Sequence, residues 1–133
     1  MMNFIKERYD LNDYLIVSIT VNIYPNKFRY DFNIYNVCEV IITLVDINVK
    51  EKLIITCHKV DYMKYNYDNE LGRLQIWEAA IIEKDSKTVI DLRATYGTDA
   101  EPYPDFESSN LLFQCEKVTY EVIDITDEDS QNY

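Results

Sequence analysis

A chain of 133 residues is the size of one domain, and two separate cores within it would each be too small to hold without staples. Its 47% hydrophobic content argues against a disordered chain. Its formal charge of −11 argues against direct binding to naked nucleic acid or to an anionic membrane surface.

The charge is unevenly spread. Residues 94–133 hold ten acids and one base, Lys117, so this last third carries −9 while the preceding 93 residues carry −2. The three cysteines, Cys38, Cys57 and Cys115, are far apart and each lies in or beside an apolar run, so they read as buried free thiols. Lys6, Glu7, Arg8 and Asp10 interrupt the start, and no apolar run reaches membrane-spanning length, so the expected compartment is a reducing, cytoplasmic one.

In chain order, residues 1–11 have the spacing for one or two helical turns and no more. From Tyr14 to Tyr24 the odd positions Leu15, Val17, Ile19, Val21 and Ile23 are apolar, the period of a strand. Pro25-Asn26-Lys27 interrupts, and Phe28, Tyr30, Phe32 and Ile34 then alternate with polar neighbours, which predicts a hairpin with the first strand. Glu39–Ile47 is nearly continuous in apolar character, as in a central strand, and Leu53–His58 follows after a polar turn.

The stretch Asp61–Gly72 loses the alternation and reads as a loop holding Tyr62, Met63, Tyr65 and Tyr67. Arg73–Glu83 and Thr88–Tyr96 read as strands joined by the hairpin-length turn Lys84-Asp85-Ser86-Lys87. Gly97–Asn110, with Pro102 and Pro104, is a long acidic loop of the kind that is functional or mobile. Leu111–Ile125 is the last strand, with Leu112, Val118, Tyr120 and Val122 on one face. The domain therefore spans residues 1–125, and 126–133 forms an acidic tail expected to fray. The fold class is mainly β, an antiparallel meander closed as a sandwich or half-barrel with at most one short N-terminal helix.

The chain carries little that suggests catalysis. Cys57 and His58 are adjacent, so on a strand they point to opposite faces and cannot form a nucleophile–base pair. No Cys-x-x-Cys or His-x-x-x-His spacing supports zinc, and the acidic loop lacks the order of a calcium loop. No enzyme activity, cofactor or metal is expected. Binding residues are expected instead: Asp99, Glu101, Tyr103, Asp105 and Glu107 in the acidic loop, with Tyr62, Tyr65 and Tyr67 as aromatic anchors offering large contact area at low entropic cost.

The order Leu11-Asn12-Asp13-Tyr14 before an alternating strand, then successive β-rich segments, then Asn110-Leu111-Leu112-Phe113-Gln114-Cys115 leading into a final strand, resembles small β-rich immunity proteins of bacterial polymorphic toxin systems. That resemblance implies stoichiometric neutralisation of a cognate toxin. The expected partner is a basic protein, with no direct nucleic-acid or membrane contact and with homodimer formation left open. Two other readings fit the composition: a phage or viral inhibitor of a host defence protein, and a small-molecule or lipid carrier whose cavity is lined by Trp77, Phe113 and tyrosines.

Overall fold

The computed structural model describes residues 11–12, 14–24, 37–65, 75–76, 78–94 and 104–133. Among these residues eight strands follow one another: β1 (Leu15–Tyr24), β2 (Val37–Val45), β3 (Glu51–His58), β4 (Tyr62–Tyr65), β5 (Ala80–Lys84), β6 (Lys87–Asp91), β7 (Leu111–Cys115) and β8 (Lys117–Asp124). They pair into two antiparallel sheets, ordered β1-β2-β3-β8 and β4-β7-β6-β5, which meet through β3 against β7 and β6 against β8. The fold is a two-sheet sandwich and not a closed barrel. Among the described residues the helical content is two 3-10 turns, Phe106–Ser108 and Asp129–Asn132. The expected N-terminal helical turns lie outside the described residues, as do Phe28–Ile34.

Alternation explains the core. Val40, Ile42 and Leu44 of β2 and Leu53, Ile55 and Cys57 of β3 are wholly buried on one face of the first sheet. They pack against Ile81, Ile90, Leu111, Phe113 and Cys115 from the second sheet. β2 is the central strand its apolar run predicts, flanked by β1 and β3. The described partner of β1 is β2, paired from Leu15↔Val45 to Tyr24↔Val37.

Two irregularities reset which residues face inward. In β1 the register shifts between Ile16 and Ser18, so Val17 becomes the extra residue and stands 45% exposed, while Ile16 and Ile19 pack on the core. The regular odd-position face expected from Leu15 to Ile23 is broken there. The second reset is at Glu116, the single residue between β7 and β8. Leu111–Asp124 is one long extended segment, as expected, but it changes sheet at Glu116. Before the corner Leu111, Phe113 and Cys115 face the core; after it Val118, Tyr120 and Val122 do. Leu112 is buried on the opposite face from Val118, contrary to a single apolar face along the whole strand.

The segment paired with it, β3 leading into β4, bends at the same place. β3 leaves the first sheet at His58 and β4 enters the second at Tyr62, with Lys59 at φ 55 between them. The ladder continues around the bend, since Glu116 N–H donates to the His58 carbonyl at 3.1 Å and Asp61 N–H to that of Gln114 at 3.0 Å. Strands that switch sheets at a bulged bend make the corners of a packed sandwich.

With so few glycines, turns rely on polar side chains and on left-handed backbone. In the β2–β3 turn one Asp46 carboxylate oxygen accepts from the amides of Lys50 and Glu51 at 2.7 and 2.8 Å, beside Val49 at φ 55. The β5–β6 hairpin expected at Lys84–Lys87 closes through Asp85 and Ser86, both left-handed at φ 53 and 64, as a two-residue primed turn made without glycine. The strand expected over Arg73–Glu83 is shorter in the described residues. Gln75 makes only an isolated bridge to Leu15, and pairing resumes at Ala80. The strand expected to run to Tyr96 ends at Asp91, where Leu92 and Arg93 turn. The tail carries local order: Asp129 N–H donates to Thr126 Oγ1 at 3.1 Å, and Ser130 N–H to the Thr126 carbonyl at 2.9 Å.

Candidate binding surface

Tyr62, Met63 and Tyr65, expected in a loop, form the edge strand β4. The sequence hides this because among the described residues β4 pairs only with β7 and none of its own residues is fully buried, so no inside–outside contrast is written into it. Register separates the two described tyrosines. Tyr62 opposes Gln114, on the outer face of the second sheet, whereas Tyr65 opposes the core residue Leu111. Both are half exposed, at 50% and 52%.

The outer face of this sheet meets the acidic loop. Lys64 opposes Leu112, which opposes Asp91, and the segment Pro104–Asn110 is tied down beside this row. Lys64 Nζ donates to the carbonyls of Phe106 and Glu107 at 2.9 and 3.1 Å. At the other end of the segment the buried Ser109 hydroxyl donates to Asp91 Oδ1 at 2.6 Å and accepts from Leu111 N–H at 3.2 Å. Asp105 opens the 3-10 turn, accepting from Glu107 N–H at 3.1 Å and from the Ser108 hydroxyl at 2.6 Å. That hydroxyl leads the effects holding the Asp105 carboxyl below its ordinary range.

The structure thus sets the Asp105–Glu107 turn against Lys64 of β4, with Tyr62 toward the far end of that strand, across from Gln114, and Tyr65 on its other face. Asp99, Glu101, Tyr103 and Tyr67 lie outside the described residues. Lys64 and Asp91 were not legible as organisers of the site. A lysine within an aromatic run and an acid ending a β-branched run carry no spacing signal, and only the cross-strand register reveals their roles.

Asp91 is wholly buried. Its Oδ1 takes the Ser109 hydroxyl and the Arg93 amide, the latter at 3.0 Å, while its Oδ2 has no partner among the described residues. Burial raises its pKa, with the two hydrogen bonds and the Lys64 charge opposing. Beside it, an open cleft of about 290 Å³ lies between Gln75, Glu78, Arg93 and Asn110.

The eight described acids of the last third, Asp105, Glu107, Glu116, Glu121, Asp124, Asp127, Glu128 and Asp129, are all exposed. Among the described residues only Glu116 of these makes an ion pair, with Lys59 at 3.6 Å and Lys87 at 3.8 Å. Lys87 also pairs with Asp61 at 3.0 Å, and this bond raises the lysine's pKa. Desolvation pushes the Asp61 carboxyl up, but hydrogen bonds from Gln114 and Lys87 outweigh it and leave the group below its ordinary value. These ions brace the sheet corner from outside.

Inside the corner lie the thiols. Cys57 and Cys115 are wholly buried, and Cys38 is partly so. A hydrogen bond with Cys115, followed by burial, raises the Cys57 pKa, so this sulfur stays a protonated thiol. His58 points away from Cys57 as expected, its Nε2 within 2.9 Å of Thr119 Oγ1 and its Nδ1 3.9 Å from Glu39 Oε2. Among the described residues no three His, Cys, Asp or Glu side chains are placed to hold a metal ion, and no helix is long and apolar enough to cross a membrane. No protein-family model, curated protein or solved structure matches the chain.

Proposed function

We propose that this chain is a non-enzymatic protein-binding inhibitor that captures a basic partner, the manner of action of an immunity protein. The observation that carries the reading is the set of eight exposed acids in the last third, of which only Glu116 is paired among the described residues. Uncompensated surface charge of one sign does little for folding and much for the rate and orientation of encounter with the opposite sign. The Lys64 anchor supports the same reading, because it ties the turn that carries Asp105 and Glu107 to β4, the strand that also carries two half-exposed tyrosines. A charged rim around an aromatic contact is the usual composition of a protein interface.

The carrier reading receives less support. Phe113, offered as a cavity-lining residue, is wholly buried within the packed core. Affinity purification of the full chain from its native host at low and high salt tests the proposal. Stoichiometric recovery of a basic protein that is released by salt is the expected result, and recovery of the chain alone at low salt refutes it.

A further inference from the structure

The two sheets divide the chain at one place. Of the first sheet, β1, β2 and β3 precede Lys59 and β8 follows Glu116, whereas the strands of the second sheet, β4 to β7, all lie between those two residues. The second sheet is therefore an insertion between β3 and β8, which pair with each other from Glu51↔Asp124 to His58↔Lys117. Its two ends pass through a neck at the corner, where Glu116 N–H donates to the His58 carbonyl at 3.1 Å.

On each side of that backbone bond the preceding residue is a cysteine. Cys57 ends the inward-facing row of β3 and Cys115 that of β7, and both are wholly buried in the core where the sheets meet. The two thiols are hydrogen-bonded to each other, with Cys57 donating, and the Cys115 thiol donates to the Thr88 carbonyl at 3.7 Å. The bond from Cys57 leads the effects that lower the Cys115 pKa, so Cys115 is the first of the two to ionise.

We infer that Cys57 and Cys115 form a reversible disulfide that clasps the neck of the second sheet. The oxidant is a hydroperoxide, and hydrogen peroxide, close to water in size, is the probe suited to a buried pair. The Cys115 thiolate attacks one peroxide oxygen: the S–O bond forms, the O–O bond breaks, and the departing hydroxide leaves as water with the proton that Cys115 gave up. Cys57 then attacks the sulfenic sulfur: the S–S bond forms, the S–O bond breaks, and a second water leaves with the Cys57 proton. Two thiols and one peroxide give one disulfide and two waters. A dithiol reductant reverses the bond by exchange. The closed loop contains every described strand of the second sheet and the turn that carries Asp105 and Glu107, so the clasp acts on the opening of that sheet as a unit.

The test adds hydrogen peroxide in slight excess to the reduced full chain under native conditions, blocks the remaining thiols after denaturation, and maps the digested product by mass spectrometry. The expected product has lost two hydrogens, keeps one blockable thiol of the three, and joins the peptide of Cys57 to that of Cys115. Cys38→Ala should leave this product unchanged, whereas Cys57→Ala or Cys115→Ala should abolish it. The oxidised chain should melt at least about 10 °C higher than the reduced one, with amides of β5, β6 and β7 exchanging about tenfold more slowly, and dithiothreitol should restore both properties. A bond to Cys38, a sulfinic acid at Cys115 in place of a disulfide, or reaction only after denaturation overturns the inference. A bond between Cys57 and Cys115 that leaves melting and exchange unchanged overturns the clasp. The map is made on the wild-type chain, so it decides the question even where an alanine variant does not fold.

Discussion

Ser109→Ala asks whether the acidic segment is a loose loop or a built part of the domain. The hydroxyl donates to the wholly buried Asp91 at 2.6 Å and accepts from Leu111 N–H at 3.2 Å, and Ser109 itself is 2% exposed. Removing a hydrogen bond to an ionisable group costs about 1.5–3 kcal/mol, and orphaning the buried amide of Leu111 adds about 1 kcal/mol, so about 2.5–4 kcal/mol should be lost. For a domain of this size that lowers the melting temperature by about 6–16 °C. Urea unfolding followed by tryptophan fluorescence measures it. A loss under about 0.5 kcal/mol would refute the anchored segment, since that is the range of an exposed serine. The carboxyl adds a sign. Asp91 has a folded pKa raised above its unfolded value, so the folded state binds the proton more tightly and the stability this confers is complete below the unfolded pKa. It is lost as pH rises from there through the folded pKa. Asp91→Asn keeps an acceptor for Ser109 and Arg93 without the charge, so its stability relative to wild type should improve as pH rises from about 4. A pH-independent difference would contradict a carboxyl whose pKa burial raises.

Four further outcomes follow from the same geometry. Glu107→Lys should slow association with a basic partner in a salt-dependent way and leave the melting temperature unchanged, whereas Asp105→Lys should also loosen the turn it caps, which separates charge from structure in two stopped-flow and two thermal measurements. Phe113→Ala, at the wholly buried centre of the second sheet, should cost about 3–5 kcal/mol in denaturant unfolding. Asp85→Asn with Ser86→Gly should raise the melting temperature by a few degrees, since both positions are left-handed and now hold residues less suited to it. In a thiol-titration time course Cys38 should react first, and Cys57 and Cys115 only on unfolding; equal rates for all three would contradict the buried pair.

The legible parts of the fold are those in which one face is buried and the other is not. Leu53, Ile55 and Cys57 alternate with half-buried neighbours, and β3 lies where that period places it. The turn at Asp85-Ser86 was legible from its length and polarity. The illegible parts are of three physical kinds. A bulge at Val17 and a corner at Glu116 each reverse which residues face inward without interrupting the apolar composition, so periodicity read across them assigns the wrong face to Val17 and Leu112. An edge strand such as β4 lacks the inside–outside contrast on which strand prediction depends. Long-range register, which sets Lys64, Leu112 and Asp91 in one row, has no local trace at all.

That third kind of information changes what the acidic third of the chain is. By composition it is a solvated, self-repelling segment on a near-neutral scaffold. In the fold its described part, residues 104–110, is fastened at two points, by Lys64 to the carbonyls of Phe106 and Glu107 and by Ser109 to Asp91, so the turn that carries Asp105 and Glu107 is held in a fixed place. Fixed charge matters for recognition because a carboxylate on a mobile loop must be ordered on binding, which sets the entropy of that loop against the contact it makes. Lys64 does this through backbone carbonyls, and its charge also reaches the Asp105 carboxyl, where it adds to the effects that lower that pKa. Lys64→Met should therefore keep the acidic composition and the long apolar stem, yet release the turn from β4. If preorganisation is what the anchor provides, Lys64→Met should raise the dissociation rate from a basic partner several-fold despite making the chain more negative. Surface-plasmon kinetics at two salt concentrations separates the effects: net charge alone predicts faster association and an unchanged dissociation rate, and that result would show the acids to act without the anchor.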